Sequence, residues 1–122
     1  MKCAFPVAVA TLLTFVTAAQ ADHFAGVYGN TVTRTMADGT KVIIYVNEDK
    51  TWEQHVGTVV MKGTYAWKDD THACFTVVDP TPKDPSLATN CIEVKDDRKA
   101  GDTWTEPGPG GHDMTMSITA GR

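Results

Sequence analysis

Apolar and polar residues alternate with a period of two along much of this chain. The clearest run is 59–68, whose alternate positions are Val59, Met61, Gly63, Tyr65 and Trp67. Successive side chains of a β-strand point to opposite faces of a sheet, so this run predicts a strand with one buried face and one solvated face. The same period recurs over 113–119 and, in shorter form, around both Cys74 and Cys91. No segment after residue 21 shows the spacing of an amphipathic helix.

Turn-forming residues separate these runs into short segments. Asp38-Gly39 is a strong hairpin signal, and polar or Gly-containing turns follow at 47–50, 57–58, 69–70, 96–101 and 108–111. The predicted strands are 27–34, 41–46, 51–56, 59–68, 72–78, 91–95, 103–106 and 113–119. About eight short, evenly spaced strands predict an all-β fold, a small antiparallel up-and-down meander or barrel in which consecutive strands pair. The alternative is a two-sheet β-sandwich.

The first 21 residues have a different character. Lys2 gives a positive start, an apolar run extends from residue 4 to residue 16, and Ala19 and Ala21 form an A-x-A pattern. This combination predicts a secretory signal peptide over 1–21, cleaved after Ala21. The alternative is an uncleaved anchor, which the short run and the lack of a charged flank disfavour. The location expected is therefore periplasmic or secreted, with no transmembrane segment after cleavage.

Length and charge narrow the classes of partner. Removal of 21 of the 122 residues leaves 101, the size of one domain over 22–122. The chain carries 11 Lys and Arg against 15 Asp and Glu, a net charge of −4 that becomes −5 once Lys2 is removed. This acidic balance, without a basic patch, argues against a nucleic-acid partner. We expect a monomer.

Cys74 and Cys91 remain after loss of Cys3 with the signal peptide, and in an oxidising compartment they should pair. They are 17 positions apart, which corresponds to about 3 kcal/mol of stabilisation in the chain-entropy model. If Phe75 and Ile92 face the core, both cysteines face outward, and the bridge joins neighbouring strands on the solvent side. A core-facing bridge would require the strand register to shift.

The aromatic residues provide the largest apolar side chains of the domain. In a ligand-binding protein we expect the pocket to involve Trp52, Tyr65, Trp67 and Trp104. The alternative is that these rings simply fill the core, because a small eight-stranded barrel is only wide enough for its own side chains.

Metal and catalytic patterns are weak. The histidines His23, His55, His72 and His112 show no metal-ligand spacing, so no metal and no cofactor are expected. The acidic residues fall in turns, where Asp is favoured for backbone hydrogen bonding. There is no nucleophile-elbow motif and no phosphate-binding glycine loop, so an enzyme is not expected.

One loop stands out as a surface for recognition. Residues 79–90 contain Pro80, Pro82 and Pro85, and the predicted disulfide tethers the base of the loop. A stiff, exposed loop loses little entropy on binding a partner. The alternative is a connection that is stiffened only for protection from proteolysis.

Short motifs resemble a group of small exported bacterial proteins. The residues are Thr51-Trp52, the run from Gly63 to Asp70, then Cys74-Phe75-Thr76 and Cys91. They resemble a DGTW…GTW…CFT…C pattern, although Lys50 replaces the expected Gly and Tyr65 replaces a Trp. The resemblance covers about half of 22–122 and implies fold and export rather than an activity. A more distant likeness is to periplasmic enzyme-inhibitor β-barrels.

These observations favour a non-enzymatic binding module of the cell envelope. The first hypothesis is a protein-binding module, an enzyme inhibitor or adaptor, that contacts an envelope or extracellular protein through 79–90 or 107–112. The second is a carrier of a small apolar ligand in an aromatic-lined barrel mouth. A cavity of several hundred Å³ beside the tryptophans would favour the carrier. A filled barrel with an exposed apolar loop would favour protein binding.

Overall fold

The computed structural model describes residues 22–122, together with Ala10. The predicted signal peptide and its cleavage point lie outside the described residues, apart from Ala10. Within the described part of the chain, no helix is long and apolar enough to cross a membrane.

Eight antiparallel strands form one curled sheet, a half-barrel, so the all-β prediction is confirmed and the two-sheet sandwich is not observed. The strands are β1 (Thr31–Thr35), β2 (Lys41–Val46), β3 (Thr51–Val56), β4 (Val59–Asp69), β5 (His72–Asp79), β6 (Thr89–Glu93), β7 (Thr103–Pro107) and β8 (Asp113–Thr119). Short 3-10 turns at Pro85–Leu87 and Pro109–Gly111 interrupt two of the connections.

The strand order is β6-β5-β4-β3-β2-β1-β8-β7. Consecutive strands pair as expected, with one exception: β6 and β7 lie at opposite edges of the sheet, while β8 pairs with β1 through Val32 and Ile118. The order is that of an up-and-down barrel left open between β6 and β7. We call this opening the seam.

The connection from β6 to β7, residues 94–102, crosses one end of the half-barrel. Its start is fixed where the Val94 N–H donates to the Thr71 carbonyl at 2.7 Å. Its finish is fixed to β8, where the Gly101 N–H donates to the Ile118 carbonyl at 2.8 Å. The connection therefore spans the width of the sheet, which explains why β6 and β7 do not form a hairpin.

Residues 22–30, the N-terminal segment, form a series of turns rather than the start of the predicted 27–34 strand. The Val27 N–H donates to the Phe24 carbonyl at 2.8 Å, and the Asp22 carboxylate accepts from the Phe24 N–H at 3.0 Å. These turns place Phe24 and Val27 in the core at a spacing of three residues. The prediction was wrong here because the apolar spacing serves a turn that packs across the end of the sheet.

The disulfide between Cys74 and Cys91 is present, and it lies on the outer face of the sheet as predicted. The two residues are directly opposite each other on β5 and β6, with a Cα–Cα distance of 3.9 Å. Their neighbour Ala73 is completely buried on the inner face, which fixes the register.

Candidate binding cavity

The concave face of the half-barrel encloses a cavity of about 340 Å³. Inward-facing side chains from β1 to β8 line it, and its apolar wall includes Val32, Trp52, Phe75, Trp104, Met116 and Ile118. The exposed members of the lining are concentrated on β6 and the residues next to it, such as Leu87, Ile92 and Lys95. The cavity therefore opens to solvent along the seam.

The N-terminal segment closes one end of this cavity. The Phe24 ring packs against the rings of Tyr65, Trp67 and Phe75 at centroid distances of 5.4, 4.8 and 5.9 Å. Phe24 and Val27 also belong to the cavity lining. The floor of the cavity is thus built from a segment that lies outside the sheet.

A chain of hydroxyl groups reinforces this closed end. The Tyr28 hydroxyl donates to Asp22 Oδ2 at 2.7 Å, and the Tyr65 hydroxyl lies 2.9 Å from both the Tyr28 hydroxyl and the Asn47 carbonyl oxygen. Burial is the main cause that raises the pKa of both tyrosines, so both stay neutral donors over the physiological range.

His23 fastens the same segment from outside. Its Nδ1 lies 2.7 Å from Asp97 Oδ1, and its Nε2 lies 3.0 Å from the Asp70 carbonyl oxygen. The hydrogen bond to Asp97 is the main cause that raises the pKa of His23. Because both ring nitrogens face acceptors, the protonated imidazole satisfies this site better than the neutral one.

Trp52 has a fixed place in the cavity wall. Its indole N–H donates to the Thr64 carbonyl at 3.0 Å, and its ring covers Gly63, the residue opposite it on β4. A Cβ at Gly63 would lie 1.9 Å from the Thr76 carbonyl oxygen and 2.7 Å from Trp52 Nε1. Only glycine allows this approach of the indole to the backbone.

Trp104 lies beside the seam. Its indole N–H donates to Glu106 Oε1 at 2.9 Å, and the Arg98 guanidinium lies over its ring at 4.4 Å. These two contacts hold the indole at the cavity edge while leaving it partly exposed.

The four aromatic residues predicted for the site therefore separate into two pairs. Trp52 and Trp104 line the cavity. Tyr65 and Trp67 do not belong to its lining and pack instead against Phe24 at the closed end. The sequence could not distinguish the pairs, because all four positions alternate correctly for the inner face of the sheet.

Polar side chains occupy the opposite end of the cavity, which we call the far end. They are Arg34, Gln54, Asn90 and Glu106. Each lies on the same strand as an apolar lining residue, two positions closer to a connection between strands. The four connections are 36–40, 57–58, 80–88 and 108–112. Because adjacent strands are antiparallel, these four connections share one end of the half-barrel. The far end of the cavity is therefore polar. The closed end combines the apolar floor formed by Phe24 and Val27 with polar or charged side chains around it: His23, Glu93, Lys95, Asp96 and Arg98.

Arg34 is the functional candidate that sequence reasoning missed. Its Nε is buried without a hydrogen-bond partner. The six ion pairs formed within residues 22–122 do not include it. The signal was available in β1, since Val32 faces inward and the period of two places Arg34 on the same face.

No group of three His, Cys, Asp or Glu side chains within residues 22–122 is arranged to hold a metal ion. Comparison of the chain with protein-family models, with curated proteins and with solved structures found no match. The resemblance to exported bacterial proteins and to inhibitor barrels therefore stays a prediction.

Proposed function

We propose that this protein binds a small, largely apolar ligand in the cavity of the half-barrel. The observation that carries the proposal is the cavity of about 340 Å³ with Trp52 and Trp104 in its wall. Ligand sites in proteins typically measure roughly 300–1,000 Å³ and are mainly apolar with a few polar groups, so this cavity suits a small ligand. The closed end built by Phe24 supplies a preformed apolar floor.

The character of the lining favours binding without chemical conversion. Among the described residues, the lining contains no Ser, Thr, Cys or Tyr side chain. The other nucleophilic side chains of the lining are engaged within the protein: Lys95 pairs with Glu93, Asp96 with Arg98 and His23 with Asp97, and Glu106 accepts from the Trp104 indole N–H. We therefore propose a carrier or sensor rather than an enzyme. The outward disulfide agrees with our proposal that the protein is periplasmic or secreted.

Binding can be tested with the neutral fluorophore N-phenylnaphthylamine, followed through its own emission and through tryptophan quenching. In the variant Ile44→Phe, the larger ring enters the cavity from β2, and we expect affinity to fall at least about tenfold. The matched control is Ile43→Phe, which makes the same change on the opposite face of β2 and should bind like the wild type. Equal binding by both variants, or no binding by the wild type, would refute the proposal.

Protein binding is the second candidate, and the exposed apolar residues of the far end favour it. Leu87 is 79% exposed in the proline-containing loop, and Val59 and Val78 are more than half exposed nearby. A partner that contacts this patch should be enriched from an envelope extract by the wild type and lost with Leu87→Asp. Equal recovery by both proteins would reject this surface.

A further inference from the structure

We propose that the cavity selects an amphiphile with a single carboxylate, whose head group binds the Arg34 guanidinium and whose apolar body extends toward Phe24. This inference rests on the proposed ligand-binding function and specifies the chemical class of the ligand. Its basis is the placement of Arg34 at the end of the cavity opposite Phe24, where its buried Nε has no hydrogen-bond partner and its guanidinium no ion-pair partner among the described residues.

Arg34 differs from the other cationic side chains of the cavity lining, Lys95 and Arg98, and from the third arginine, Arg122. Lys95 Nζ lies 3.0 Å from Glu93, and Arg98 Nη2 lies 3.1 Å from Asp96. Arg122 bonds Asn47 Oδ1 at 2.6 Å and lies over the Tyr45 ring. Arg34 alone among the three arginines contributes a buried donor, Nε, that no described residue satisfies.

A buried donor without a partner in the protein favours the binding of a ligand that carries a hydrogen-bond acceptor. A buried N–H without a partner carries a desolvation penalty, which an acceptor removes when it binds. A guanidinium presents a planar fork of donors that matches both oxygens of a carboxylate. The ligand head group would therefore complete the hydrogen bonding of Arg34.

The surrounding charges favour a monoanion over a dianion. Glu106 lies in the same cavity lining and is held by the Trp104 indole N–H, without an ion pair to Arg34. A phosphate monoester would bring a second negative charge close to this carboxylate and into a protein of net charge −4. The neutral amides of Gln54 and Asn90 complete the far end and add no opposing charge.

The apolar wall between Arg34 and Phe24 would accommodate the apolar part of the ligand. Below Arg34, toward the closed end, the wall includes Val32, Trp52 and Ile118 and ends at Phe24. The charged side chains that also line this end form ion pairs with each other, Lys95 with Glu93 and Arg98 with Asp96. Burial of a hydrocarbon chain along this wall contributes most of the favourable free energy of binding, and the contact between the carboxylate and Arg34 fixes the orientation of the ligand.

The test compares octanoate with octanol, which share the chain and differ in the head group. Both are titrated against wild-type protein preloaded with N-phenylnaphthylamine. We expect octanoate to displace the fluorophore at a concentration at least about tenfold lower than octanol does, the value typical of a charged hydrogen-bonded pair. This comparison requires no variant, so it does not depend on how a substitution affects folding.

Variants then assign the selectivity to one residue. Arg34→Met should weaken the binding of octanoate much more than that of octanol and so remove the preference, since the charged fork is lost while the apolar stem of the side chain is replaced by a similar one. The matched control is Lys41→Met, which changes the net charge equally at an exposed position on the neighbouring strand and should retain the preference. Arg34→Met should also fold, because it removes an unpartnered donor.

The outcomes separate the two proposals. If octanol equals or exceeds octanoate in the wild type, carboxylate selection is wrong and the binding of apolar ligands stands. If Arg34→Met keeps the preference, or Lys41→Met loses it, the head group is not bound by Arg34. If neither octanoate, octanol nor the fluorophore binds, the proposed function itself is wrong.

Discussion

Single residues determine both the shape and the polarity of this cavity. Gly63 lets the Trp52 indole lie directly on β4, and Arg34 introduces a positive charge where the alternation of β1 would otherwise place an apolar side chain. Both features can be located in the sequence by counting along a strand. Their significance appears only when the opposite wall is known, because a glycine or an arginine at an inner position has no fixed meaning by itself.

Replacement of Gly63 by Ala should destabilise the fold strongly. The added Cβ would overlap the Thr76 carbonyl oxygen and press on the Trp52 indole, so backbone must move. We expect the free energy of unfolding to fall by about 3 kcal/mol. The measurement is urea denaturation followed by tryptophan fluorescence. Thr64→Ala, at the exposed neighbouring position, should change stability by less than about 1 kcal/mol. A G63A midpoint equal to that of the wild type would contradict the close approach.

The strands differ in how firmly they are held. Inner strands such as β2 and β3 have partners on both sides and contribute Val46 and Trp52 to the core. In contrast, β6 is an edge strand whose five residues are all exposed. It is held by its hydrogen bonds to β5, by the Thr76–Thr89 hydroxyl contact at 2.9 Å, and by the disulfide. The disulfide thus provides the stabilisation of this edge strand that hydrophobic burial does not provide.

Removal of the disulfide should therefore loosen β6 before the rest of the sheet. The double variant Cys74→Ser/Cys91→Ser should lose about 3 kcal/mol of unfolding free energy. Hydrogen exchange should show lost protection over 89–93 and retained protection over β2 and β3. Wild-type protein treated with a reductant serves as the control and should give the same pattern. Uniform loss of protection across all strands would argue against a local role of the bridge.

At the scale of the whole molecule, the N-terminal segment converts a curled sheet into a closed-ended cavity. Phe24 fills the end, the Tyr28–Tyr65 pair joins the segment to β4, and His23 joins it to the crossing connection through Asp97. Gly26 passes so close to this connection that a Cβ would lie 2.3 Å from the Arg98 carbonyl oxygen. The closure is thus a tertiary contact between two segments without strand structure.

Stability should depend on pH through His23. Its pKa is raised in the folded state, mainly by the hydrogen bond to Asp97, so folding favours the protonated ring. The resulting stabilisation is present below the unfolded value of about 6.5 and is lost as the pH rises through the folded pKa. The destabilisation caused by His23→Gln should therefore be larger near about pH 5.5 than near about pH 8.5.

This dependence can be measured by urea denaturation of both proteins at the two pH values. His112→Gln is the control, because His112 is exposed in the connection between β7 and β8 and should show no such difference. A destabilisation by His23→Gln that is equal at both pH values would show that the contact with Asp97 does not depend on the charge of the ring.

The sequence by itself determined the all-β class, the approximate positions of the strands and the side of the sheet on which the disulfide lies. Two strands differ most from their predicted ranges: the first begins at Thr31 rather than at residue 27, and the sixth spans Thr89–Glu93 rather than 91–95. The bounds of β2, β3 and β8 match their predicted ranges because alternation and turn chemistry are local properties, encoded within a few residues. The tertiary structure alone decided that β8 pairs with β1, that the seam lies between β6 and β7, and that residues 22–30 close one end. It also decided that Trp52 and Trp104 line the cavity with Arg34, whereas Tyr65 and Trp67 pack beneath it. These outcomes depend on how segments that are distant in sequence pack against one another in the core. The alternation of residues along a single strand carries no information about that packing.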